Sequence, residues 1–205
     1  MTDSHLEINN TSLKSHKLHN SSYAPTSLPA AGILPKRGQL PPGSHMPLGA
    51  AQIFIGREEN LKALAAILLP SNMASWDSMP GHGAAIIHAG PGALDLGGTG
   101  KTQLAAEFCQ RYGRYFQSVH WINAARGEIK VEIARNGAAL ELQSWSSKTS
   151  EQSRLTYTAW ANGAPRLIVL DDPIYPGAVG PLLNSLPKNV RILVTSRQGG
   201  WQDKL

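Results

Sequence analysis

The sequence predicts an α/β fold, a parallel sheet covered by helices on both faces. Three observations carry this. From about Gln52 onward, short apolar runs of strand length alternate with stretches of helical periodicity. The first apolar run passes through a glycine-rich turn straight into an amphipathic helix. The run Leu167 to Leu170 is wholly apolar, as suits a strand of a parallel sheet covered on both faces.

The elements follow in order. Phe54-Ile55-Gly56-Arg57-Glu58 opens a helix whose Leu61, Leu64, Ala65 and Leu68 recur at helical spacing, and Pro70 ends it. Ala84 to Ala89 reads as a short buried strand. After a glycine-rich turn, a helix begins near Lys101 with Leu104, Ala105, Phe108, Cys109 and Tyr112 on one face. Ser118 to Asn123 is the second strand. Weaker helical stretches follow around Ile129, Ile133 and Leu140, then around Leu155, Ala159 and Trp160. Leu167 to Leu170 is the third strand and Val190 to Thr195 the fourth, with Pro173 breaking the chain after the third.

The first fifty residues differ. They hold Ser, Asn, His and Thr clusters, a single aromatic (Tyr23), and prolines at 25, 29, 35, 41, 42 and 47. Such a segment buries too little apolar surface to offset its ordering entropy. Residues 1–50 are therefore expected to be a disordered tail, and 52–205 the folded domain. The chain has 205 residues, enough for one domain or one domain plus a tail. Gly and Pro, 20 and 14 of them, exclude a coiled coil. No apolar run approaches the roughly 18 residues of a membrane span, and the N-terminus lacks the pattern of a signal peptide. The single Cys109 cannot form an internal disulfide, which fits a cytoplasmic location. The net charge of +5 permits an anionic ligand; the basic residues are scattered, so nucleic acid is not indicated.

Gly97-Gly98-Thr99-Gly100-Lys101-Thr102 is the strongest motif. A phosphate-binding (Walker A) loop needs glycines so that backbone N–H groups can curl around an anion. It needs a lysine for the β- and γ-phosphates and a hydroxyl for Mg²⁺, the places of Lys101 and Thr102. The helix that follows points its positive end at the phosphates. The usual spacing puts a glycine five positions before Gly100, where this chain has Asp95. Either that carboxylate stands close to the phosphates, or Gly90 is the first glycine and Pro91 to Asp95 are inserted. Removing the five restores Gly-Leu-Gly-Gly-Thr-Gly-Lys-Thr, and this second reading is favoured.

The third strand ends in Asp171-Asp172, the form of a Walker B strand. Asp171 would hold the Mg²⁺ shell, and Asp172 is placed to polarise an attacking water. Val194-Thr195-Ser196-Arg197 ends the fourth strand with two hydroxyls and an arginine. Ligands of parallel sheets lie beyond the strands' carboxyl ends, so Arg197 would face the γ-phosphate. Arg57 is either a residue near the nucleotide or an ordinary surface arginine at a helix start.

In this order the motifs resemble the NB-ARC or STAND class of signal-transduction NTPases, also called AP-ATPases. They look most like the bacterial members that carry helical repeats after the ATPase. The likeness runs over about residues 52–201 and rests on Phe54 to Glu58, Gly97 to Ala105, Val119 to Ala124, Leu167 to Asp172 and Leu193 to Arg197. It implies a three-layer P-loop NTPase fold with sheet order 5-1-4-3-2, and a cytoplasmic switch that binds ADP or ATP with Mg²⁺ and rests in the ADP form. Arg57, Gly97, Gly98, Thr99, Gly100, Lys101, Thr102 and Gln103 are then expected at the nucleotide, and Thr102 and Asp171 at the metal. Lys101, Asp172 and Arg197 are expected to act in catalysis, with Arg197 as the first sensor. Turnover is expected to be slow or absent.

Family members continue into a helical domain, a winged helix and a sensor array, so this chain is expected to be a fragment, a truncated product or part of a split system. A fifth strand would follow Trp201, where four residues are too few. Strand 1, with no lysine or proline between Ala84 and Ala89, would then be an open edge, and either marginal stability or self-association is expected. Two other readings stand beside this one. A non-hydrolysing ADP-binding adaptor would carry the same loop. A small P-loop kinase would need an arginine-rich lid after the third strand, where only Arg191 and Arg197 occur.

Overall fold

A computed structural model describes residues 27–30, 32–49, 53–72, 76, 83–88, 98–125, 127–142, 144–198 and 201. Its elements in chain order are α1 (Glu58–Leu68), β1 (Ala84–Ile87), α2 (Lys101–Tyr112), β2 (Val119–Asn123), α3 (Ile129–Ala138), α4 (Thr149–Trp160), β3 (Arg166–Asp171), α5 (Pro176–Ser185) and β4 (Val190–Thr195). All strand pairs are parallel, in the order β1-β4-β3-β2. That is the order expected for these four. Among the described residues β1 ends the sheet; any fifth strand and residues 202–205 lie outside them.

The unbroken apolar run of β3 is explained by alternation between two covered faces. In β3, Leu167 and Val169 pack into one cluster with Leu61, Leu64 and Leu68 of α1 and Phe108 and Tyr112 of α2. Ile168 and Leu170 point the other way, to Ile133 of α3, Trp160 of α4, and Val179 and Leu182 of α5. The result is three layers, helices α1 and α2 on one side and α3, α4 and α5 on the other. Among the described residues, no helix is long and apolar enough to cross a membrane.

The structure corrects one expectation, which concerns the segment before α1. Residues 1–26, 31 and 50 lie outside the described residues, but 32–49 are laid along α2 and β2 rather than disordered. Leu28, Leu34, Leu40, Met46 and Leu48 pack on the first cluster. His45 forms a parallel bridge with His120 on the outer side of β2: its N–H donates to the Val119 carbonyl at 2.8 Å, and its carbonyl accepts from Trp121 N–H at 2.8 Å. Ser44 Oγ accepts the N–H of Val119 at 3.0 Å. Arg111 reaches the carbonyl of Pro35 at 2.8 Å, and Arg114 that of Lys36. The apolar burial and these contacts supply what the composition lacked. This strap thereby covers the β2 edge, where a strand would otherwise present unpaired backbone groups.

Helix α5 has no counterpart in the sequence reading: Pro-Gly-Ala-Val-Gly-Pro-Leu-Leu-Asn-Ser has poor helix propensity. Pro176 fits the first helical position, where no N–H is needed. Val179, Leu182 and Leu183, at i, i+3 and i+4, are buried against the sheet. Their burial outweighs the cost of Pro181 inside the helix.

Candidate functional site

The sheet gathers the candidate residues at the carboxyl ends of its strands. Asp171 closes β3 and stands in register with Thr195, which closes β4. The glycine-rich loop lies opposite them and feeds α2. Gly98 and Gly100 have φ of +90° and +78°, the left-handed region that side-chain-bearing residues rarely adopt, which is why glycine is required at both. Gly100 is also the N-cap of the twelve-residue α2, so the helix's unpaired N–H groups open toward the strand ends. Gly97 and the whole of the segment Pro91 to Asp95, with Gly90 and Leu96, lie outside the described residues.

Hydrogen bonds tie loop and strands together. Lys101 Nζ donates to Thr99 Oγ1 at 3.1 Å. Thr102 Oγ1 donates to Asp171 Oδ1 at 2.9 Å, and Thr195 Oγ1 to the same oxygen at 2.6 Å. Arg57, at the start of α1, reaches across 42 residues to donate to the carbonyl of Thr99 at 2.7 Å. Exposed at the helix start, it thereby ties α1 to the loop. Arg197 forks onto Asp172, Nε to Oδ1 at 2.8 Å and a terminal nitrogen to Oδ2 at 2.6 Å. Asp172 itself sits at φ +53°, an uncommon conformation for a residue with a side chain.

Residues Gly98 to Gln103, with Asp172, Thr195 and Arg197, line a cavity of about 270 Å³. A second cavity of about 470 Å³ shares Asp172 and Arg197 and continues to Ala125, Pro173, Ile174 and Gln198. The Asp172–Arg197 pair is thus the partition between the two. Every described member of the expected set is brought to this place. Gly98, Thr99, Gly100, Lys101, Thr102, Gln103, Asp172 and Arg197 line the first cavity, and Arg57 and Asp171 bind to residues that do.

The donor chemistry fits a phosphate-bearing ligand accompanied by Mg²⁺. N–H groups at a helix start, an ammonium and a guanidinium face one cavity, which suits an anion. The carboxylate of Asp171 and the hydroxyl of Thr102 are hard oxygen donors. Among the described residues no three His, Cys, Asp or Glu side chains gather as a metal site. One carboxylate and one hydroxyl are what Mg²⁺ typically takes from a protein when phosphates and water complete its shell.

Thr195 was noted in the sequence only as a hydroxyl at a strand end. Its contact with Asp171 depends on β3 and β4 being neighbours in that register, which no local pattern reveals. No family model matches the chain, and no curated protein matches it significantly.

Proposed function

We propose that this chain carries an adenine-nucleotide-binding switch domain of the P-loop NTPase class, of NB-ARC or STAND type, acting in the cytoplasm with ADP or ATP and Mg²⁺. The observation that carries the reading is the hydrogen bond of Thr102 to Asp171, 69 residues away, beside Lys101 and opposite Arg197. A glycine turn that merely capped a helix would have no reason to meet a strand-end carboxylate through the residue after its lysine. The strand order β1-β4-β3-β2 supports the finer fold, because it is the 1-4-3-2 part of a 5-1-4-3-2 sheet.

Each residue then has a task. The N–H groups at the start of α2 and the Lys101 ammonium hold the β- and γ-phosphates. Thr102 donates its hydroxyl hydrogen bond to Asp171, which leaves its lone pairs for the cavity, so the two would form one oxygen face for the metal. Thr102 and Asp171 would hold Mg²⁺, which would supply positive charge to offset that of the phosphates. Arg197 is paired with Asp172 and must exchange that carboxylate for a phosphate oxygen to sense a third phosphate.

The test is titration calorimetry with ADP and Mg²⁺ on wild type and Lys101→Ala. A charge-assisted contact of about 1.5–3 kcal/mol predicts a loss of roughly 10- to 150-fold in affinity. Equal affinity in the two proteins overturns the reading. Phosphate release faster than about 1 s⁻¹, the range of ordinary enzymes, would make it an enzyme of flux rather than a switch.

A further inference from the structure

Thr195 touches both acidic residues at once. Its hydroxyl donates to Asp171 Oδ1 at 2.6 Å and accepts the backbone N–H of Asp172 at 3.0 Å. Its carbonyl accepts that same N–H at 3.1 Å. A hydroxyl has one proton and two lone pairs, so these roles are fixed: an ionised carboxylate only accepts, and an amide N–H only donates. Thr195 is 1% exposed, and its hydroxyl is committed to the chain itself.

The consequences differ at the two aspartates. At Asp171, the hydroxyls of Thr102 and Thr195 both fall on Oδ1. Two donors on one oxygen fix the carboxylate's plane and leave Oδ2 as the oxygen that meets a cation or its water. At Asp172, the N–H shared between the carbonyl and hydroxyl of Thr195 holds a backbone at φ +53°. Strained conformations of this kind persist only where neighbours over-determine them. From that backbone the Asp172 carboxylate meets Arg197 as a fork.

We infer that Thr195 is a positioning residue for the metal–nucleotide site, acting through Asp171 to present one carboxylate oxygen and through Asp172 to aim the partner of Arg197. The inference rests on the proposed nucleotide function. Partners in the outer shell of a metal ligand commonly carry about 10- to 100-fold in metal affinity.

The test compares wild type, Thr195→Val and Thr195→Ser, measuring ADP affinity by calorimetry with Mg²⁺ and again in EDTA. Valine keeps the β-branched shape that suits a strand end and removes only the hydroxyl; serine restores it. The expected result is a ratio of the two affinities that falls by about tenfold in Thr195→Val, the low end of that range, while the EDTA affinity stays within about twofold. Thr195→Ser keeps the wild-type ratio. An unchanged ratio in Thr195→Val overturns the inference, as does a Thr195→Ser that behaves like valine. Equal losses with and without Mg²⁺ overturn it in favour of a structural role. If Thr195→Val does not fold, Thr195→Ala carries the same comparison, and a chain that folds only with a hydroxyl at 195 again means a structural role. Wild type that binds no nucleotide in either buffer fails the functional reading itself. Wild type that binds without any Mg²⁺ effect fails this inference alone.

Discussion

Among the carboxylates gripped by arginine, Glu107 and Asp172 have surroundings that make them different devices. Glu107, on α2, is 1% exposed; Arg111 donates to its Oε1 at 2.6 Å and Arg37, from the strap, at 2.9 Å. A terminal nitrogen of Arg37 also stands 2.7 Å from Oε2, an ionic approach off the line of a hydrogen bond. Asp172 is 31% exposed and its partner Arg197 56%. The chemistry is the same, but water can replace either partner only at the second. Burial turns the first into a clamp that fastens the strap, and exposure leaves the second free to exchange partners at little cost.

The strongest way to break this comparison is to strip Glu107 of both arginines. Arg37→Ala with Arg111→Ala leaves a charge buried and uncompensated, and about 3–5 kcal/mol of unfolding free energy is expected to go, read from urea denaturation. Glu107→Ala is expected to cost less, because Arg37 and Arg111 are 33% and 19% exposed and can turn to water. If the glutamate deletion proved the more damaging, the clamp would owe its strength to the helix rather than to the ion pairs.

Only part of this contrast is legible in the sequence. The runs Leu167 to Leu170 and Val190 to Thr195 announce buried parallel strands, because burial on both faces suppresses alternation. Lys101, Thr102, Asp171 and Arg197 stand beside motifs whose chemistry names them. The strap is illegible because Leu28, Leu34, Leu40 and Leu48 follow neither helical nor strand spacing. Their burial depends on α2 and β2, which lie far along the chain. Helix α5 is hidden for the same reason: Pro176, Gly177, Gly180 and Pro181 argue locally for loop, and tertiary packing overrules them. Pairings such as Thr195 with Asp171 arise only from strand order.

A second buried group beside the strap sharpens the comparison by pH. His120 is fully enclosed, with its ring 5.0 Å from that of Trp160 and Nε2 2.9 Å from Ser118 Oγ. Burial, assisted by the Arg166 charge, pushes its pKa down to about 3 from the ordinary 6.5. The proton then prefers the unfolded chain. Its contribution to stability is complete above pH 6.5 and is lost as pH falls from there toward 3. Between pH 7 and pH 5 the loss is about 2 kcal/mol. Denaturation curves at the two pH values should show it, and His120→Gln should flatten the difference by that amount. Parallel pH dependences in the two proteins would mean that His120 does not carry the effect.

The smallest effect is expected at the exposed pair. Asp172→Asn should move the melting free energy by no more than about 1 kcal/mol, as exposed ion pairs do. A loss as large as that at Glu107, seen in the same urea titrations, would erase the distinction between clamp and exchangeable pair.

The strap's seat lies far from it along the chain: Ser44 and Val119 are 75 residues apart. At synthesis rates of about 5–20 residues per second, the strap leaves the ribosome roughly 4–15 s before β2 follows it. During that interval it has nothing to lie on, and β2 in turn gains its sheet neighbour only when β3 emerges. Closing so long a loop carries an entropy cost that must be met before its contacts reward it. A strap that joins a sheet already assembled would act on the rate at which the finished domain comes apart rather than on the rate at which it forms.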